Sequence, residues 1–247
     1  MYGLIGKKLG HSFSANFFNK KFKDEGICDE YKLFPIDSIS CLPDILKNYD
    51  GLKGLNVTIP YKEEVIPFLN EMSPEARGIG AVNTILISRT GQYIFLKGFN
   101  TDALGFKNSI LPLIRPEMKH SLVLGTGGAS KAVDYVLGSL GINVTKVSRT
   151  GHADNIITYN DITEETIANN LLIINTTPLG MYPETDTCPP LPYNYLTKRH
   201  LCYDLVYNPE MTLFLQKSKE MGAEVKNGLE MLKLQALGAW EIWNAST

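Results

Sequence analysis

The chain has 247 residues, 44% hydrophobic and 20% charged, with a formal net charge of −2. That balance suits a globular chain that buries a core as one large domain or two modest ones. The absence of any basic run argues against nucleic acid as a main partner, while leaving room for a small anionic ligand held by one or two local cations. Cys28, Cys41, Cys188 and Cys202 are scattered and do not cluster with the histidines, so neither a zinc site nor a disulfide framework is expected. Met1 to Gly6 is too short an apolar run for a signal peptide, and no stretch approaches the ~18 apolar residues of a membrane span. A cytoplasmic protein is expected.

In chain order, Met1 to Gly6 reads as a first strand. Ala15 to Phe22 reads as a helix with Phe17, Phe18 and Phe22 on one side, and Ser14 is placed as its N-cap. Tyr31 to Ile36 alternates like a strand, and Leu42 to Tyr49 is helical. Leu52 to Ile59 is a strand stopped by Pro60, after which Tyr61 to Val65 opens the next helix. Ala81 to Ser88 and Tyr93 to Gly98 are strands around Thr90-Gly91. Thr101 to Ile114 is a helix with Pro112 near its end, and Pro116 to Lys119 is a boundary loop. The pattern then restarts: a strand at Ser121 to Leu124, a glycine turn, and a helix from Lys131 to Leu140. Strands at 143–147, 171–175 and 201–206 and helices at 212–221 and 229–243 complete the chain. The alternation predicts an α/β fold, two domains and a largely parallel sheet.

A short strand feeding Gly125-Thr126-Gly127-Gly128-Ala129-Ser130 and then a helix is the context that a dinucleotide needs. Gly125 permits the tight turn, Gly127 lets the backbone approach a pyrophosphate, and the free N–H groups of the helix start bind the anion. Ser130 occupies the third glycine position, which predicts slightly looser packing of helix on strand. Ser148-Arg149-Thr150 ends the following strand, and no acid stands there to hold a ribose hydroxyl. A guanidinium with two hydroxyls suits a 2′-phosphate, which favours NADP over NAD. Taken alone, the glycines also fit an ordinary strand–helix turn, and Arg149 a solvated charge.

Nine segments in order carry a resemblance that runs nearly end to end. They are His11-Ser-Phe-Ser14, Asn56-Val-Thr-Ile-Pro-Tyr-Lys62, Gly80-Ala-Val-Asn83-Thr, Asn100-Thr-Asp102, Gly125 to Ser130, Ser148-Arg-Thr150, Asn175-Thr-Thr-Pro-Leu-Gly-Met181, Asp204-Leu-Val-Tyr207-Asn-Pro and Gly228 through Gln235-Ala. With them the sequence resembles the shikimate dehydrogenase family. The resemblance implies reversible NADPH-dependent reduction of 3-dehydroshikimate to shikimate, a step towards the aromatic amino acids. It implies a substrate domain over 1–101 completed by the C-terminal helix 229–247, and a Rossmann-like NADP domain over 102–228. By the same resemblance, Lys62 and Asp102 are the catalytic pair. Ser12, Ser14, Asn56, Thr58, Lys62, Asn83, Asp102, Tyr207 and Gln235 contact substrate. Gly125, Thr126, Gly127, Gly128, Ala129, Ser148, Arg149, Thr150, Leu205 and Gly228 contact the cofactor, and no metal is involved.

The polar set agrees with a ring bearing a carboxylate and three hydroxyls, which neutral donors and acceptors can hold without excess fixed charge. Each member also has a plain structural role open to it: Asn83 in a turn, Thr58 in a strand, Gln235 on a solvated helix face. The chain departs from the family pattern at Lys8 and Ala15, where prolines are common, and at Ser148 and Ala153, where Asn and a second basic residue are usual. The phosphate clamp is therefore thinner, with His152 beside it. A shikimate/quinate dehydrogenase using NAD, and a non-catalytic dinucleotide-binding regulator, stay open at this stage, as does a monomer or a homodimer.

Overall fold

The computed structural model describes residues 1–10, 12–150 and 155–245. In chain order the elements are β1 (Tyr2–Gly6), α1 (Phe13–Asp24), β2 (Tyr31–Pro35), α2 (Leu42–Asn48), β3 (Gly54–Val57), α3 (Tyr61–Glu64), β4 (Glu71–Met72), α4 (Pro74–Ile79), β5 (Thr84–Thr90), β6 (Tyr93–Phe99) and α5 (Thr101–Ile110). They continue with β7 (His120–Leu124), α6 (Gly128–Ser139), β8 (Asn143–Ser148), β9 (Ile156–Thr158), α7 (Glu164–Asn169), β10 (Leu172–Asn175), β11 (Leu201–Asp204), α8 (Leu213–Glu220), β12 (Glu224–Lys226) and α9 (Leu229–Asn244). The chain divides into two compact units, 1–104 with 235–247, and 105–234, and both boundaries fall inside helices.

The first unit holds a sheet in the order β2-β1-β3-β5-β6-β4. β1 runs parallel to β2 and β3, but β5 is antiparallel to both β3 and β6. This sheet is therefore mixed rather than largely parallel. The cause is local: Gly91, in the left-handed region at φ 60°, closes β5 directly onto β6 as a hairpin, so no crossover intervenes. Strand alternation sorts its side chains. Ile5, Phe34, Leu55, Val57, Ile85, Ile87 and Leu96 pack on one face with residues of α2 and with Tyr61. Tyr2, Leu4 and Tyr31 face the other way, against Phe18 and Phe22 of α1 and Ala236, Ala239 and Trp243 of α9.

The second unit holds an all-parallel sheet in the order β12-β11-β10-β7-β8-β9. Counting from β7, the strand order reverses between β7 and β10. That is the doubly wound arrangement, in which ligands lie beyond the carboxyl ends of the strands at the reversal.

Several boundaries differ from the sequence reading. The helix expected over 101–114 ends at Ile110, and Pro112 sits in a single 3-10 turn, Leu111–Leu113, because it has no N–H to continue the ladder. α6 begins at Gly128, three residues ahead of Lys131. Strands β3 and β11 are shorter than expected, and β4, α4, β9, α7 and β12, each of two to six residues, were not anticipated.

Candidate active site

In the first unit, the expected substrate residues collect along one edge of the sheet. β1, β3 and β6 end there, and β5 begins there, with Asn56 opposite Thr84 and Thr84 opposite Phe99. Thr58 follows β3; its N–H bonds Ile5 O (3.0 Å), and its carbonyl accepts the N–H of Tyr61 (3.0 Å), which turns the chain into α3. Tyr61 is buried and anchors that turn by donating its hydroxyl to Ile36 O (2.6 Å), which leaves the next residue, Lys62, half-buried at the edge. Lys62 Nζ lies 2.7 Å from Asp102 Oδ2, with the two side chains only 17% and 13% exposed. Asp102 stands in the first turn of α5, where a carboxylate favours the helix dipole. The carbonyl of Lys62 accepts the N–H of Val82 (2.8 Å), so the lysine and Asn83 are held by adjoining backbone.

Asn83 is a hub. Its Oδ1 accepts Thr101 N–H (2.7 Å), Thr101 Oγ1 (3.1 Å) and Thr84 Oγ1 (3.1 Å), and its Nδ2 donates to Gln235 Oε1 (3.4 Å). Gln235 is 8% exposed and so is not a solvated helix residue. Asn56 is 5% exposed and committed on every hydrogen: Nδ2 donates to Asn83 O (3.2 Å) and Thr84 Oγ1 (3.1 Å), while Oδ1 accepts from Tyr31 (2.7 Å). It has one acceptor position left for any ligand. Thr84, Thr101 and Tyr31 are the members that the sequence reading did not single out.

At the first loop the structure corrects the cap. Ser12, not Ser14, is the N-cap of α1: it is extended (φ −88°, ψ 118°) and its side chain accepts Ala15 N–H at 3.3 Å. Ser14 lies inside the helix. His11, like His152 and Ala153, lies outside the described residues.

Tyr207 belongs to the second unit, in the loop after β11, half-buried, with its phenol pushed up by that burial. The rest of that unit's expected set lies at the carboxyl ends of β7, β8, β11 and β12. Gly125 adopts φ +108°, and a Cβ there would sit 2.8 Å from Thr176 Oγ1, so only glycine makes this turn. A Cβ on Gly127 or Gly128 would meet nothing within 4 Å, so the backbone is bare on that side. Gly127 is the N-cap of α6, and no side chain caps the helix, so the N–H groups of its first turn, at Gly128, Ala129 and Ser130, stand ready for an anion beside exposed Thr126. Ser148 Oγ folds the strand end, donating to Thr150 O (3.1 Å) and accepting Thr150 N–H (3.4 Å), with Arg149 exposed between them. Leu205 N–H bonds Asn175 O (2.9 Å), and Gly228 N–H bonds Val206 O (3.1 Å). A Cβ on Gly228 would lie 2.1 Å from Leu205 O, so this approach too demands glycine. A bare glycine turn, an uncapped helix start and an exposed guanidinium fit a phosphorylated dinucleotide.

Ser130 is 1% exposed, and its Oγ has no hydrogen-bond partner among the described residues. Ser130→Ala should therefore stabilise the protein by about 0.5–1 kcal/mol, since it removes an unpaired buried hydroxyl and favours the helix. A denaturant midpoint that does not rise would show the hydroxyl to be satisfied.

Asp204, fully buried at the end of β11, accepts from Asn175 Nδ2 (2.9 Å), Val206 N–H (3.0 Å) and Thr212 Oγ1 (2.6 Å). Burial outweighs these bonds and pushes its carboxyl up to about 6. A carboxyl raised on folding adds stability below its ordinary range and loses that contribution as pH rises through the folded value. Stability attributable to Asp204 should fall by about 3 kcal/mol between roughly pH 4 and 6. Unfolding curves of Asp204→Asn should lack that slope; an identical slope in the variant would assign it elsewhere.

Residues 4–85 match the family model for the shikimate dehydrogenase substrate binding domain. A shikimate dehydrogenase (NADP(+)) of Clostridium beijerinckii is 41% identical over 98% of this chain and 91% of its own. Among solved structures, the shikimate 5-dehydrogenase of Thermus thermophilus in complex with NADP(H) and shikimate superposes with a TM-score of 0.84 at 32% identity, covering 99% of this chain and 93% of its own. The quinate dehydrogenase of Corynebacterium glutamicum in complex with NAD gives 0.86 at 28% identity, with 99% and 93% covered. End-to-end likeness at this level of identity establishes that the chain belongs to the shikimate dehydrogenase family.

Proposed function

We propose that the protein is an NADP-dependent shikimate dehydrogenase, interconverting 3-dehydroshikimate and shikimate on the route to the aromatic amino acids. The observation that carries this reading is the Lys62–Asp102 pair, 2.7 Å apart at the sheet edge where Asn83, Thr101 and Gln235 converge. The first unit binds the substrate ring and the second the dinucleotide. When bound, NADP supplies the hydride acceptor. The hydroxyl proton that leaves the substrate carbinol passes to Lys62, and in the reducing direction Lys62 returns it. Asp102 holds the ammonium in place and accepts from a ring hydroxyl. Asn83 and Gln235 orient the ring, while Ser12, Ser14 and Tyr207 address the carboxylate with neutral hydroxyls. The uncapped turn of α6 takes the pyrophosphate, and Arg149 the 2′-phosphate. The enzyme works in the cytoplasm on this reading.

The likeness to an NAD-bound quinate dehydrogenase supports a second reading, with quinate and NAD as a further substrate and cofactor. A side-by-side assay with shikimate or quinate and NADP or NAD separates the two. Turnover fastest with shikimate and NADP is expected, and preference for quinate with NAD would favour the second. A regulator without activity has no use for a buried proton-transfer pair, and no turnover in any of the four arms would be needed to restore it.

A further inference from the structure

We infer that Trp243 is a positioning residue of the substrate site: keyed into a socket at Gly54, it fixes where helix α9 places Gln235 opposite Asn83. This rests on the proposed substrate role of Gln235. From Gln235 onward α9 belongs to the first unit, and Trp243, 5% exposed, lies near its end. Gly54 of β3 stands between Tyr2 of β1 and Leu86 of β5. The space that its missing side chain leaves is filled by the indole: a Cβ there would lie 2.2 Å from Trp243 Nε1 and 2.4 Å from Cδ1. The ring stacks on Tyr2 with centroids 4.7 Å apart at 25°, and Nε1–H donates to Ile85 O of β5 at 3.0 Å.

The polar contacts of Gln235 do not fix its place. Its Oε1 accepts from Asn83 Nδ2 and Thr101 Oγ1, each at 3.4 Å, beyond the usual range. The Thr101 hydrogen is also claimed by Asn83 Oδ1 at the shorter distance of 3.1 Å. The position of Gln235 is therefore set by the seat of its helix. Between Gln235 and Trp243 that seat is made by Ala236 and Ala239, 1% and 0% exposed, whose methyl groups bring the helix close but resist sliding little. The indole adds what they lack, a shaped side chain in a fitted socket and one directional bond. Its acceptor, Ile85, lies just beyond Asn83 and Thr84 in the same stretch of chain. The bond thus ties α9 to the strand that presents Asn83. About two turns of helix on one side and the extended start of β5 on the other are both stiff, so closing the frame at Trp243 sets how far Gln235 stands from Asn83. A shift of about 1 Å at Trp243 passes along the helix, and that is enough to misplace a hydrogen-bonding side chain against a ring hydroxyl.

The test compares steady-state kinetics and thermal melting of Trp243→Phe, Gly54→Ala, Gln235→Ala and the double variant Trp243→Phe/Gln235→Ala. Trp243→Phe keeps an aromatic ring but loses the directional bond and part of the fit. It should raise KM for shikimate roughly 3–10-fold, the order of one neutral hydrogen bond, with KM for NADP unaltered and kcat nearly so. Gly54→Ala displaces the indole and leaves every residue of α9 as it is, so it should raise the same KM; should it not fold, Trp243→Phe decides alone. Added to Gln235→Ala, Trp243→Phe should raise KM no further, because it acts through Gln235. A lowered melting temperature with both KM values unaltered in Trp243→Phe would make the indole purely structural and overturn the inference. So would full additivity in the double variant. An unaltered shikimate KM in Gln235→Ala would remove the substrate role of Gln235, and the inference with it. A raised KM in Gln235→Ala, with both socket variants unaltered, would overturn the inference and leave the site reading standing.

Discussion

Replacing Lys62 by alanine should lower kcat by roughly 10²–10⁴-fold, the range for a lost general acid–base, while KM for shikimate changes little. Oxidising a carbinol releases a proton that needs an acceptor within hydrogen-bond reach. Among the described residues the histidines do not meet that need: His200 is buried against Ile167 O and the Thr197 turn, and His120 is exposed at the start of β7. Lys62 is half-buried, held by the α3 turn and by Asp102, and surrounded by side chains suited to a polyol. Asp102→Asn should lower kcat comparably and also weaken shikimate binding, because it both loosens the lysine and removes an acceptor for a ring hydroxyl. A near-normal kcat for Lys62→Ala across the pH range would sink this mechanism.

Arg149→Ala should weaken NADP roughly 10–150-fold, the worth of a charge-assisted bidentate contact, and leave NAD nearly unchanged. The guanidinium is exposed at the end of β8, beside the Ser148–Thr150 turn, with its charge felt by the Tyr159 phenol. With Ser148 in place of the family's asparagine, Arg149 is expected to carry most of the discrimination between the two cofactors. Equal losses for NADP and NAD, read by titration of each cofactor alone, would instead assign Arg149 to the fold of the loop.

What was legible in the residues follows from where the chemistry constrains the backbone. Gly125 and Gly228 mark places where a Cβ collides, and such places survive as glycine in any reading of the chain. The long helices announced themselves by apolar periodicity. Strand direction did not, since a strand's alternation is the same in either sense, and the mixed first sheet was missed for that reason. Two serines, Ser12 and Ser14, each fit an N-cap, and only the extended backbone at Ser12 decides between them. Gln235 could have been read as buried, because it sits in helix α9 beside Ala236 and Ala239 of the apolar stripe. Tyr31 carried no such mark: an aromatic residue opening a strand reads as core, and it is core, apart from one oxygen. Elements of two or three residues, such as β4, β9 and β12, are shorter than any period that could reveal them.

The central claim is that this chain moves a hydride between shikimate and NADP. The direct measurement uses shikimate deuterated at the carbinol carbon that is oxidised, incubated with the purified protein and NADP, with the reduced cofactor analysed by mass spectrometry. One deuterium per molecule of reduced NADP, formed together with 3-dehydroshikimate, is the result required. No reduced cofactor, or reduced cofactor without deuterium, would contradict the account.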